Sequence, residues 1–186
     1  MKKSGFSLIE LAIVIAIMGI VALAIVPTMR SPKSVSPKEF VAKLNTLMQA
    51  AWQQALMTNR VQKVLFNFTN KKITLEELVE HSKADEQEKF VPVTSSYLIS
   101  ELAIPPGYTF NNFYIEKKDQ MRMGERKDAW FFVIPEGLAQ EVIINGRDRG
   151  NAETAPSAQI RDVERFSFVL NPFSAQFTHY DTFQTP

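Results

Sequence analysis

The chain has 186 residues, room for one medium domain plus a membrane segment, and its 21 basic and 20 acidic side chains leave a net charge of +1. So even a balance leaves no electrostatic footprint for nucleic acid. Without cysteine there is no disulfide framework, zinc-thiolate site or thiol nucleophile, and 45% apolar residues allow a core in the roughly 150 residues beyond the first helix.

Residues 11–26 carry no polar side chain, and extending back to Phe6 adds only Ser7 and Glu10. A helix over residues 6–26 would be about 31 Å long, enough for a hydrocarbon layer of roughly 30 Å. Lys2 and Lys3 precede it, as a cytoplasmic start requires, although Arg30, Lys33 and Lys38 follow on the other side. A secretory signal peptide shares the basic start and apolar centre, and Ala22-Leu23-Ala24 offers a small-x-small cleavage site. An uncleaved anchor is the other ordinary reading. Neither accounts for Glu10, whose carboxylate costs a few kcal/mol at mid-membrane and less near an end.

The segment Gly5-Phe6-Ser7-Leu8-Ile9-Glu10 resembles the type III signal of the type IV pilin-like prepilins. The resemblance continues through Leu11-Ala12-Ile13-Val14-Ile15-Ala16-Ile17-Met18-Gly19-Ile20 to Pro27. Gly19 and Pro27 fall where major pilins also carry glycine and proline. In that family a membrane prepilin peptidase cuts after the glycine and methylates the new terminal aromatic residue. Here the resemblance implies cleavage between Gly5 and Phe6, N-methylation of Phe6, and an assembly role for Glu10. The chemistry is coherent, because cleavage creates an α-ammonium at Phe6 with an ordinary pKa near 8. A buried ammonium needs an acceptor and a buried carboxylate a donor, so Glu10 of one subunit can meet Phe6 of the next. Gly19 serves either close helix packing or local unwinding. Pro27 lacks an N–H and should kink or end the helix near Val26.

Residues 30–37 hold two further prolines, Pro32 and Pro37, and read as a linker. A second helix then starts with Ser36 as N-cap, Pro37 in the first turn and Glu39 completing a capping box. Phe40, Leu44, Leu47, Met48, Ala51, Ala55 and Leu56 recur at helical spacing. That stripe is expected to pack under a sheet, the alternative being a partner helix. From Val61 the period becomes two: Val64, Phe66 and Phe68 alternate, Asn70-Lys71 turns, and Ile73 and Leu75 resume. The acidic stretch 76–89 reads as a solvated helix or loop. Further strands are expected at 108–115, 129–134, 140–144, 164–170 and 174–180, with a hairpin around Pro135-Glu136-Gly137. Phe166, Phe168 and Leu170 should share one strand face, and Phe173, Ala175 and Phe177 another.

The fold class expected is α+β: an N-terminal hydrophobic helix, then an amphipathic helix packed on a mostly antiparallel β-sheet. The domains read as 1–5 prepilin leader, 6–29 transmembrane and filament-core helix, 30–36 linker, and 37–186 periplasmic domain. This order resembles the H-type minor pseudopilins of type II secretion. The supporting segments are Ala50-Ala51-Trp52-Gln53-Gln54-Ala55 followed by Val64-Leu65-Phe66, Ile104-Pro105-Pro106-Gly107, and Phe132-Val133-Ile134-Pro135-Glu136-Gly137.

Motifs for enzymes are missing: no G-x-S-x-G, Walker A, G-x-G-x-x-G after a strand, or H-E-x-x-H. His81 and His179 have no second histidine at ligand spacing. The segment 145–151, Asn-Gly-Arg-Asp-Arg-Gly-Asn, offers oxygens for calcium but carries two arginines and no EF-hand order, so an exposed hairpin or surface loop is expected. Whether 145–153 takes calcium stays open at this level. Asn67-Phe68-Thr69 matches the glycosylation triplet by chance on an expected strand. No catalytic residue, cofactor or metal is therefore expected. The resemblance implies a structural subunit of a type II secretion pseudopilus, in the bacterial inner membrane with its C-terminal domain in the periplasm and later in the pseudopilus. Its partners would be other pilin-type subunits, the prepilin peptidase, the inner-membrane assembly platform and the membrane itself, with no nucleic acid. A minor type IV pilin or competence pseudopilin is the alternative. A membrane-anchored periplasmic enzyme or binding protein with a coincidental leader belongs to a different class.

Overall fold

The computed structural model describes residues 8–25, 35–79, 89–94, 97–123, 127–150 and 163–186. The chain divides into two units, Met1–Lys33 and Ser34–Pro186. In the first, α1 spans Leu8–Ile25 and runs unbroken through Gly19.

In the second unit α2 covers Pro37–Thr58. Its start follows the sequence: the Ser36 hydroxyl accepts from the Glu39 N–H at 3.3 Å, and Pro37 supplies a preset first turn. The Glu39 carboxylate turns to Lys43 (2.9 Å). Asn59, in the left-handed region at φ 53°, closes the helix. The stripe Phe40, Leu44, Leu47, Met48, Ala51 and Ala55 is buried as expected, whereas Leu56 is exposed.

Among the described residues ten strands follow, forming two sheets in place of the expected one, and every pairing is antiparallel. The first sheet contains β1 (Gln62–Asn67), β2 (Lys72–Val79), β3 (Lys89–Pro92), β4 (Glu101–Ala103) and β7 (Asp128–Val133). Strand β1 lies between β2 and β7, while β3 and β4 both pair with β2. The second sheet runs β10 (Gln176–Tyr180), β9 (Glu164–Asn171), β8 (Val142–Asp148), β5 (Tyr108–Ile115), β6 (Lys118–Asp119).

Register places the apolar residues together. Val64 sits opposite Leu75 and Phe131, and Phe66 opposite Ile73 and Ala129. Phe166, Phe168 and Leu170 share the inner face of β9 as expected. These residues and the α2 stripe form one continuous core, knit by ring contacts such as Phe66–Phe113 (5.1 Å) and Tyr108–Phe166 (4.9 Å).

Other expectations are corrected. Residues 76–79 belong to β2; residues 80–88 lie outside the described residues. Of the acidic side chains that suggested a solvated segment, the two described ones are paired, Glu76 with Lys63 (3.0 Å) and Glu77 with Arg60 (2.7 Å). The turn at 134–137 exists, Gly137 N–H donating to the Ile134 carbonyl, with one bridge between Val133 and Ala139. The hairpin expected there is limited to that one bridge, because β8 then joins the other sheet. Phe173 is 79% exposed on the β9–β10 turn, apart from buried Ala175 and Phe177, since Ala175 adopts φ 50° and breaks the alternation. Residues 145–148 form the end of central strand β8 and are no surface loop; Asn145 is buried. Strands β3, β4 and β6 were not anticipated.

Candidate functional site

Of the residues singled out by the sequence, Gly5, Phe6 and Pro27 lie outside the described residues, as does His81. Glu10 lies in the first turn of α1, where a carboxylate interacts favourably with the helix N-terminus. Helical spacing puts Ile13, Val14 and Ile17 on its stripe, and all three are more than 40% exposed. Leu8, Ile9, Leu11, Ile15 and Met18 are exposed too. A helix apolar on every side has its natural place among lipids or other helices. Among the described residues no helix is long and apolar enough to cross a membrane. Eighteen residues of α1 make about 27 Å, just short of the roughly 30 Å hydrocarbon layer.

The second unit holds its polar groups in structural roles. The Asn45 amide donates to the Phe177 carbonyl (2.9 Å) and accepts the Phe177 N–H (2.7 Å), so α2 closes the open edge of β10. Glu77 takes hydrogen bonds from Gln54 (3.0 Å) and Arg60 (2.7 Å), with Gln62 at 3.5 Å. Burial pushes the Glu77 carboxyl up, but those hydrogen bonds and the Arg60 charge outweigh it and hold it below its ordinary value. The Tyr108 hydroxyl donates to the Val35 carbonyl (2.9 Å). Burial, then the charges of Asp148, Glu164 and Glu39, raise this phenol well above its ordinary value, so it stays a donor. Sequence reasoning missed these roles; the only signal was a polar residue, Asn45, at the border of an apolar stripe.

Among the described residues no group of three or more histidine, cysteine, aspartate or glutamate side chains could hold a metal. The oxygens proposed for calcium have other work: Asn145 Oδ1 accepts the Gln184 N–H (3.1 Å) and Asp148 Oδ1 the Gly150 N–H (2.8 Å). Residues 151–153 lie outside the described residues. His179 packs against Phe168, its Nδ1 3.6 Å from Asp181. The shallow cleft lined by Ile115, Gln120, Trp130, Phe132 and Gln140 gathers no nucleophile, acid or base.

Residues 1–26 match the prokaryotic N-terminal methylation motif. By sequence, no curated protein matches the chain. Two solved structures resemble it, both of the minor pseudopilin EpsH from the type 2 secretion system of Vibrio cholerae. One aligns with 75% of this chain and 92% of that one at 9% identity, with a TM-score of 0.47. The other aligns with 78% and 94% at 12% identity, with a TM-score of 0.49.

Proposed function

We propose that the chain is the precursor of a type IV pilin-like structural subunit, a minor pseudopilin of a type II secretion pseudopilus. The observation that carries this reading is the methylation motif over residues 1–26, with one carboxylate, Glu10, set in an otherwise apolar helix. Prepilin peptidase cuts between Gly5 and Phe6 and methylates Phe6. Residues 6–29 hold the subunit in the inner membrane, ending near Pro27, and the linker 30–36 leads to the periplasmic domain 37–186. Assembly draws the helix into a filament core, where Glu10 pairs with the Phe6 ammonium of a neighbouring pilin-type subunit on the inner-membrane platform. The role is structural, and the assignment to a secretion pseudopilus rests on the H-type segments of the sequence.

Mass spectrometry of the membrane-extracted protein tests it. The expected chain starts at Phe6 with one added N-methyl group, and Gly5→Arg leaves the full precursor in the membrane. A mature N-terminus at Ile25 would falsify the reading in favour of a secretory signal peptide.

A further inference from the structure

Strand β7 ends the first sheet, and among the described residues no further strand pairs with it. Its register with β1 is regular from Asp128 to Val133, without a bulge. The main-chain groups of Phe132 face away from β1, because Gln140 engages both. The Gln140 N–H donates to the Phe132 carbonyl (3.2 Å), and the Phe132 N–H donates to Gln140 Oε1 (2.9 Å). Main-chain direction alternates along a strand, so Trp130 and Asp128 face the same way, beyond the point where Gln140 leaves the edge. This edge reads Asp-Ala-Trp-Phe-Phe-Val, with no lysine or proline to guard it. Other sheet margins are blunted: Asn45 closes β10, Pro92 ends β3, and β6 has two residues. A flat apolar edge left open invites another strand. Beside it lies a cleft of about 170 Å³, lined by Trp130 and Phe132 of β7 with Ile115, Gln120 and Gln140.

We propose that the β7 edge at Asp128–Trp130 accepts an extended segment of a neighbouring pilin-type subunit as an added strand, with one apolar side chain of that segment filling the cleft. That the neighbour is such a subunit rests on the function proposed above. Outward N–H and C=O groups two residues apart are matched by another extended backbone. The incoming residue opposite Trp130 projects to the same face as the indole, and so toward the cleft that the indole lines. At about 170 Å³ that cleft has room for one side chain, and lies below the roughly 300 Å³ at which small-molecule sites begin. Its two rings and Ile115 suit an apolar group, and the Gln140 amide is already engaged by Phe132 and Glu116. A second copy of β7 is the wrong occupant, because Trp130 and Phe132 line the cleft and leave nothing to enter it. Only a short stretch of edge is open, and each hydrogen bond gains little over water. So brief a ladder selects a partner already held alongside, as subunits of one filament are, over a protein caught from solution.

The test uses the full-length chain in the bacterium that produces it, with a photo-cross-linking residue in place of Asp128 on the open edge. The expected product joins this chain to a different pilin-type subunit, and sequencing the linked peptide should show an apolar run of that subunit. Trp130→Pro removes the outward N–H, a change that an edge strand tolerates, and should lower the yield about tenfold or more. Trp130→Phe keeps the N–H and a ring, and should cross-link as wild type does. Resistance to limited proteolysis in membranes checks folding. Should Trp130→Pro fail that check, Trp130→Lys, which sets a guarding charge at the cleft, is expected to give the same loss. Unchanged yield in the blocking variant, or an equal loss in Trp130→Phe, would overturn the site. So would a linked peptide from this chain itself, from a secreted protein, or none at all. The N-terminus is read on the same sample. A chain still starting at Met1 sinks the subunit function, while a processed chain with any of those outcomes sinks only this site.

Discussion

Glu10 and Glu77 are both carboxylates in partly apolar settings, yet only one has its partners within the described chain. Among the described residues, Ile13, Val14 and Ile17 on the Glu10 stripe cannot answer its charge, and on the function proposed above its partner is the Phe6 ammonium of another subunit. Glu10→Leu should therefore be inserted and cleaved after Gly5 but lose cross-linking to neighbouring subunits, since an unpaired buried ammonium costs on the order of 3–5 kcal/mol. Wild-type cross-linking in that variant would show that charge pairing is not the mechanism. Glu77, by contrast, is satisfied by Gln54, Arg60 and Gln62. Its folded pKa lies below the ordinary value of 4.5, so its stabilisation is present above that pH and is lost as pH falls through the folded value. Glu77→Ala should cost about 1–3 kcal/mol at pH 7 by taking the acceptor from the Gln54 amide and the Arg60 guanidinium, and progressively less as the pH falls below 4.5; a series of urea melts from pH 7 downward measures it. Glu10 was legible in the sequence because a charge interrupts an apolar run. Asn45 was not, because its partner lies 132 residues away.

At the level of elements, α2 was legible almost to the residue, because its cap, stripe and N-terminal proline are local signals. Strands with strict alternation, such as β1 and β7, were legible for the same reason. The sheet that each strand joins was not, since a turn at 134–137 looks the same whether the chain folds back or crosses over. Charge also misled: Glu76 reads as solvated until Lys63 and the rings of Phe90 and Trp130, 5.0 and 5.2 Å from its ammonium, are placed beside it. Two substitutions test how the elements are joined. Asn45→Ala should destabilise the domain by about 1–3 kcal/mol, because the N–H and C=O of Phe177 lose their partners, and should raise amide exchange selectively at β10. Gly146 lies under Phe166, so a Cβ there would come within 2.5 Å of the ring and 2.9 Å of the Thr109 carbonyl. Gly146→Ala should then cost about 1–3 kcal/mol by overpacking, read in thermal melts, and less when combined with Phe166→Leu.

For the whole molecule, a single core of described residues joins α2 to both sheets, and in a chain without cysteine it closes with no disulfide. A chain beginning at Ser34 should be monomeric and folded in chelator, with a mixed helix–sheet circular dichroism spectrum. Added calcium should leave its melting temperature unchanged. Aggregation, or a calcium-dependent melting temperature, would contradict the boundary or the assignment of the 145–148 oxygens. The sequence made the α+β class readable because helical and alternating periods are separated along the chain. The two-sheet arrangement was hidden because it depends on pairings between distant segments.

The Tyr108 hydroxyl holds the carbonyl of Val35, one residue before the cap of α2, to the first residue of β5. Mechanically this bond is a strain relief on a cable. Traction on the N-terminal segment would otherwise unwind α2 from its first turn, one hydrogen bond at a time. With Val35 fastened to a strand that β8 and β6 flank, the load enters a sheet and must shear several bonds together. Pulled from Ser34 in a single-molecule experiment, Tyr108→Phe should yield at lower force than wild type while its denaturant midpoint changes little.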